Sequence, residues 1–101
     1  MKKISPKLNS FFSVLATTNR SKLAEMVLEP RESTGGSENR HENSDQWLYV
    51  VEGEGEALVE GKKVKVVKDD VLLIEAGETH EIRNNGKSKL KTINIYAPSE
   101  Y

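Results

Sequence analysis

The residues of this sequence with the greatest capacity for chemistry are its two histidines, His41 and His80. The chain has no cysteine, which excludes thiolate catalysis, cysteine-based zinc sites and disulfide bonds. An imidazole can bind a transition metal, exchange a proton near neutral pH or make a buried hydrogen bond. Any metal or proton chemistry therefore depends on what surrounds these two side chains.

Other polar side chains lie at spacings that could bring them to the histidines. Asn39 and His41 are two residues apart and share a face if the chain is extended there. A polar turn separates them from Gln46, which opens the apolar run Trp47–Val51 and can return toward the same face from the next strand. His80 follows another apolar run and a turn, so it could close the same site.

The elements that must position these residues are short strands. Apolar or β-branched runs recur between turn residues, as is typical of a sandwich or barrel. They cover Phe11–Thr18, Leu23–Glu29, Trp47–Val51, Ala57–Glu60, Val64–Val67, Val71–Ile74 and Leu90–Ala97. A helical spacing competes only in residues 19–29, and Pro30 argues against it. The pattern predicts one all-β domain.

Two of these runs indicate which side chains face the core. In residues 63–66 lysines alternate with valines, which predicts valines toward the core and lysine heads in water. Trp47 and Tyr49 lie on the face opposite to Gln46. Burying both faces of that strand requires a second sheet or a partner subunit, so we expect a homodimer.

The spacing around Gly53 resembles the cupin superfamily, small jelly-roll barrels, over about residues 28–97. The first cupin motif is a glycine, His-x-His, three or four residues, Glu, six residues and Gly. Aligned backwards from Gly53, Gln46 takes the Glu position and His41 the second His position. Asn39 then falls at the first His position.

The second cupin motif, Gly-x5-Pro-x-Gly-x2-His-x3-Asn, is matched in part. Gly77, His80 and Asn84 are retained, whereas Asp69 and Glu75 stand where the motif has Gly and Pro. Asn84 is expected to satisfy a turn, and Glu75 to lie at the barrel mouth or in solvent. The resemblance implies a double-stranded β-helix (jelly-roll) barrel.

The resemblance also implies a domain organisation. A single cupin domain would cover residues 1–101, with the motif core at 35–97. Strands within residues 1–30 would then serve the barrel edge or dimer contacts. The Asp45-Gln46 pair is similar to small single-domain cupins that are loosely likened to mannose-6-phosphate isomerase.

The ligand set implied by the resemblance is His41, Gln46, His80 and Asn39, holding a divalent transition metal such as Mn, Fe, Ni or Zn. Asn43 is an alternative to Asn39. Because the set is neutral, the charge of the ion stays uncompensated, which favours an anionic small molecule as guest. The alternative is a metal-free core in which the histidines are hydrogen-bonded to Gln46 and Asn39.

Three functions follow from these alternatives. A metal-dependent isomerase or dioxygenase would act on a small polar molecule in the barrel. A non-catalytic module would bind or sense a sugar or acid there, with or without metal. A metal-free isomerase or epimerase would use His41 or His80 as base and would need a carboxylate partner that the motifs do not identify.

Charge and hydropathy exclude other classes. The chain carries 15 Lys plus Arg against 16 Asp plus Glu, a net charge of -1, which provides no long-range field for nucleic acid or an anionic bilayer. The uncharged stretch near residues 8–19 is too polar for a signal peptide or membrane span. The absence of cysteine suits a reducing compartment, so we expect a cytoplasmic protein whose partner is a small molecule.

Overall fold

The computed structural model of the chain describes residues 1–35 and 40–99, and these form eight β-strands. The strands are β1 Phe12–Thr17, β2 Lys22–Leu28, β3 Asp45–Glu52, β4 Glu54–Val59, β5 Lys62–Val67, β6 Val71–Ile74, β7 His80–Arg83 and β8 Leu90–Ala97. Every predicted run forms a strand, and residues 22–28 are extended rather than helical. The all-β prediction is confirmed. No helix able to cross a membrane occurs in residues 1–35 and 40–99.

The strands form two antiparallel sheets. One has five strands in the order β1-β2-β8-β3-β6, and the other has three in the order β5-β4-β7. Their inner faces enclose an apolar core that consists of Met26, Leu28, Leu48, Val50, Ala57, Val66, Ile74, Ile82 and Leu90. Successive residues of a strand point to opposite faces, so every second side chain of β3 enters this core. Trp47 and Tyr49 lie on its outer face, as predicted.

Strand β7 was missed by the sequence patterns, although it carries His80. It has only four residues, and Ile82 is the one aliphatic side chain among them. Pairing with β4, which places Ala57 opposite Ile82, provides the order that its own sequence does not encode. Such a strand is specified by its neighbour.

The expectation that both valines of residues 63–66 face the core is wrong for Val64. Val66 is 3% exposed, but Val64 is 45% exposed. Strand β5 is one of the two edge strands of the three-stranded sheet, so a neighbouring strand, β4, flanks it on one side only. Alternation fixed the face of Val64, but it could not indicate that this end of the face is uncovered.

The glycine that anchored the motif alignment has a backbone role. Gly53 joins β3 to β4 with φ of +90°, and a Cβ there would lie 2.3 Å from the Lys89 carbonyl oxygen. A left-handed conformation and a close backbone approach both require glycine. The turn fixes where β3 ends and therefore where Gln46, at its other end, is placed.

The chain before β1 is attached to the sheet through Glu25. This buried carboxylate of β2 accepts hydrogen bonds from the backbone N–H groups of Leu8, Asn9 and Ser10 at 3.0–3.1 Å. Burial acts to raise the pKa of Glu25, but the backbone hydrogen bonds outweigh it and lower the pKa below 4.5. The ionised form therefore holds the N-terminal segment.

We expect Glu25→Gln to destabilise the protein by about 1.5–3 kcal/mol at pH 7, the range for hydrogen bonds to a charged group. Because folding lowers the pKa of Glu25, its contribution is complete above about pH 4.5 and is lost as the pH falls below that value. Urea unfolding between pH 3 and 7 measures both effects. Equal stability of Glu25→Gln and the parent at pH 7 would contradict this role.

Candidate functional site

The floor of the site is a row of side chains across three neighbouring strands. Gln46 of β3 pairs with Tyr96 of β8, and Tyr96 pairs with Lys22 of β2. All three are at most 4% exposed, and lysine is rarely buried to this extent. The Lys22 Nζ lies 5.6 Å from the centroid of the Tyr96 ring. The register thus places a cation and an amide in one inner-face row.

The two histidines meet above this row. His80 begins β7 in the three-stranded sheet, and the His41 backbone carbonyl accepts a 2.8 Å hydrogen bond from Gly77 N–H, just before β7. The His41 and His80 ring centroids are 4.9 Å apart, and those of His41 and Tyr96 are 5.0 Å apart. The convergence expected from spacing is therefore present, but His41 lies in an irregular segment rather than on a strand.

The cavity around these side chains has a volume of about 580 Å³. This is within the ordinary range for small-molecule sites. It is lined by Phe11, Phe12, Val14, Lys22, Met26, Thr34, Arg40, His41, Gln46, His80, Ile82 and Tyr96. None of these lining residues is acidic.

His80 has a neutral imidazole with a lone pair available to a metal or a proton. Burial lowers the pKa of His80 and outweighs the Glu78 carbonyl and carboxylate, which act to raise it. Its Nδ1 lies 3.3 Å from the Glu78 carbonyl oxygen, which can only accept, so Nδ1 carries the proton. The lone pair is then on Nε2, the arrangement found when a histidine ligates a metal or accepts a proton.

A buried hydrogen-bond chain fixes the orientation of the Gln46 amide. Thr92 Oγ1 donates to the Met26 carbonyl oxygen at 3.4 Å, and Asn94 Nδ2 donates to Thr92 Oγ1 at 3.1 Å. Gln46 Nε2 then donates to Asn94 Oδ1 at 3.0 Å. Since each group in the chain has a set direction, Gln46 Oε1 is left as the acceptor. It is buried and has no hydrogen-bond partner within residues 1–35 and 40–99.

These donors fit a divalent transition metal in part. Two imidazoles and the Gln46 oxygen are donors of the right kind, and buried oxygens normally have a partner. Within the described part of the chain, no cluster of three or more His, Cys, Asp or Glu side chains could hold a metal. Any ion here would therefore keep its charge and have positions open for a ligand.

The other polar residues considered from the sequence lie outside the cavity or outside the described residues. Asn39 falls outside the described residues. Asn43 is exposed and is not among the lining residues, and Glu75 is exposed, as expected. Asn84 is buried and satisfies a turn, donating to the Leu28 and Ser88 carbonyl oxygens at 2.8 Å, also as expected.

Three lining residues were not predicted from the sequence, namely Lys22, Arg40 and Tyr96. A signal was present for Lys22, since it shares the parity of Ala24, Met26 and Leu28, the buried face of β2. A lysine that shares the strand face of buried apolar residues is a candidate buried cation.

Burial raises the pKa of Tyr96 to about 12, so its hydroxyl stays protonated at neutral pH.

A family model described as Cupin domain matches residues 24–96. The chain belongs to the cupin family. Its double-stranded β-helix fold is the one the motif spacing implied. An oxalate-binding protein from Thermotoga maritima is 33% identical over 81 residues, which are 79% of this cupin and 65% of the relative.

Two further proteins are similar to this cupin. The tetracenomycin polyketide synthase protein TcmJ of Streptomyces glaucescens is 32% identical over 76 residues, 75% of this chain and 50% of the relative. A solved structure from Bacillus halodurans superposes with a TM-score of 0.87 at 30% identity, covering 94% of this chain and 75% of that one. The chain thus spans only 50–65% of the length of the two curated relatives.

Proposed function

We propose that this cupin binds a small carboxylate in its cavity. The observation that carries the proposal is the charge of the lining, which within residues 1–35 and 40–99 includes Lys22 and Arg40 and no acidic side chain. Arg40 lies nearer the surface, where its Nε is 3.9 Å from Glu42 Oε1. Lys22 is 2% exposed and lies at the floor, so it is the stronger anchor.

Burial of Lys22 supports an anionic ligand on energetic grounds. A charge-assisted hydrogen bond between a buried ammonium group and an anion is strong, because little water is present to screen it. A carboxylate accepts up to four hydrogen bonds, so it can use Lys22 and the second cation together. The relative named as an oxalate-binding protein supports the same ligand class.

We also propose that His41, His80 and Gln46 hold a divalent transition metal of the Mn, Fe, Ni or Zn group. Support comes from the 4.9 Å ring separation and from the unpartnered Gln46 oxygen. Asn39 stays a predicted fourth donor. When bound, the metal would supply Lewis-acid polarisation of a ligand oxygen. Lys22, about two strand spacings or roughly 10 Å from Gln46 along the row, would neutralise charge at the other end of the ligand.

The residues favour binding over turnover as the first hypothesis. Among the described lining residues, histidine is the side-chain type that ordinarily exchanges a proton near pH 7, and the Tyr96 hydroxyl is held protonated. His80, with its lone pair on Nε2, is the better placed base if the site is an isomerase or dioxygenase. Turnover of a bound acid by the metal-loaded protein would establish the catalytic alternative.

Elemental analysis of untagged protein tests the metal, and calorimetry with oxalate tests the ligand. We expect one transition-metal ion per chain in the parent and loss of most of it in His41→Ala and in His80→Ala. Oxalate should bind the loaded parent. The control is Glu75→Ala, an exposed position outside the cavity. Equal metal content in all four proteins would disprove the ligand set, and failure of oxalate and other small acids to bind would disprove the function.

The outer face of the five-stranded sheet supports a homodimer. Trp47 pairs with Leu73 and Ile95, and all three are 38–45% exposed on neighbouring strands. Contiguous exposed apolar side chains favour an interface. We expect the parent to scatter light as a dimer and Trp47→Lys as a monomer. A monomeric parent would contradict the proposal.

A further inference from the structure

Three exposed apolar side chains lie at the mouth of the cavity rather than elsewhere on the surface. Phe11, Phe12 and Val14 are 45–52% exposed, and each lines the cavity. A group of exposed apolar side chains at a cavity is typical of a ligand-binding site. Their position indicates that the molecule in the cavity covers them.

The sheet register explains why these residues reach the cavity. Val14 pairs with Ala24 and Phe12 pairs with Met26, so both lie on the inner face that carries Lys22. Met26 also lines the cavity. An apolar wall therefore runs from the mouth along β1 and β2 and ends beside the buried ammonium group.

This wall is held in place before any ligand binds. The Val27 N–H donates to the Ser10 and Phe11 carbonyl oxygens at 3.0 and 3.2 Å. Glu25 binds the three preceding backbone N–H groups, as described above. Because the wall is hydrogen-bonded to β2 at both points, a ligand that packs on it does not have to order the chain, and the entropic cost of binding is small.

We infer that the ligand is an amphipathic acid, with a carboxylate at the Lys22 end and an aryl or alkyl body against Phe11, Phe12 and Val14. The inference rests on the proposed function for its acidic head and adds the apolar body. A cavity of about 580 Å³ is far larger than a two-carbon dicarboxylate requires. Oxalate would fill the polar floor and leave the apolar wall in contact with water.

Calorimetry with pyruvate and phenylpyruvate tests the apolar body, because these 2-oxo acids differ only in the phenyl group. We expect phenylpyruvate to bind about 10- to 100-fold more tightly, the effect of burying one aromatic ring. Phe12→Ser combined with Val14→Ser should reduce this preference to less than about threefold without weakening pyruvate. Val64→Ser, which removes an exposed apolar side chain outside the cavity, is the matched control and should retain the preference.

The outcomes separate this inference from the proposed function. Equal affinity for the two acids, with measurable binding of both, would overturn the apolar body and leave the carboxylate site intact. Binding of neither acid nor oxalate would overturn both. A parent dimer that becomes monomeric in the Phe12→Ser and Val14→Ser variant would show that a second copy covers the wall, which also overturns the inference.

Discussion

Lys22→Met is expected to weaken oxalate binding by about 10- to 100-fold, the loss that follows from removing one charged hydrogen-bond donor. Lysine and methionine have stems of similar length, so the packing of the floor beside Tyr96 is largely kept. Methionine removes the desolvation cost of the buried ammonium group together with its attraction to the Tyr96 ring, so we expect the free energy of unfolding to change by less than about 1 kcal/mol. Affinity would fall while stability does not.

A loss of affinity for oxalate without a loss of stability distinguishes a binding residue from a structural one. A purely structural lysine would lose stability on substitution and leave the affinity for oxalate unchanged, and this result would contradict the assignment. Calorimetry and urea unfolding of the same preparations measure both quantities. Lys63→Met is the control, since Lys63 is exposed on β5 and outside the cavity. It should change neither value.

Gln46→Glu is expected to raise the affinity for a divalent transition metal by tenfold or more. A unit negative charge about 4 Å from a divalent ion contributes roughly 8 kcal/mol at an effective dielectric constant of 20, which exceeds the added desolvation cost near a cavity. Competition against a chelator, with manganese or zinc as the probe, measures the change. Gln46→Leu, which removes the oxygen, should lower the affinity.

The same substitution should cost stability in the absence of metal. One carboxylate oxygen would replace the Nε2 that now donates to Asn94 Oδ1, and the two acceptors would repel. Relief requires Asn94 to turn its amide and Thr92 to redirect its hydroxyl away from the Met26 carbonyl. Unchanged metal affinity in a folded Gln46→Glu variant would show that Gln46 only orients its neighbours and does not ligate.

Local patterns in the sequence were sufficient to predict where the strands lie and which side chains face the core. Alternation along β3 placed Gln46 on the inner face and Trp47 on the outer face, because the side-chain period of a strand is two. The turn at Gly53 followed from the sequence for a physical reason, since only glycine tolerates its φ and the approach of the Lys89 carbonyl. Motif spacing predicted that His41, Gln46 and His80 lie at one site.

The register between strands, and which parts of a sheet face are covered by other residues, could be learned only from the tertiary structure. Lys22 and Tyr96 are distant in sequence, and only the pairing of β2 with β8 places them in the row that contains Gln46. Strand β7 is ordered by β4 rather than by its own residues, and Val64 is exposed because β5 is an edge strand.

The sequence by itself thus determined an all-β cupin with its two histidines in one pocket, because these features depend on short-range periodicity and on motif spacing. The tertiary structure alone decided the charge and shape of that pocket, namely a buried lysine at its floor and an apolar wall at its mouth. Both depend on which residues of distant strands are hydrogen-bonded opposite each other, and no local pattern encodes that choice.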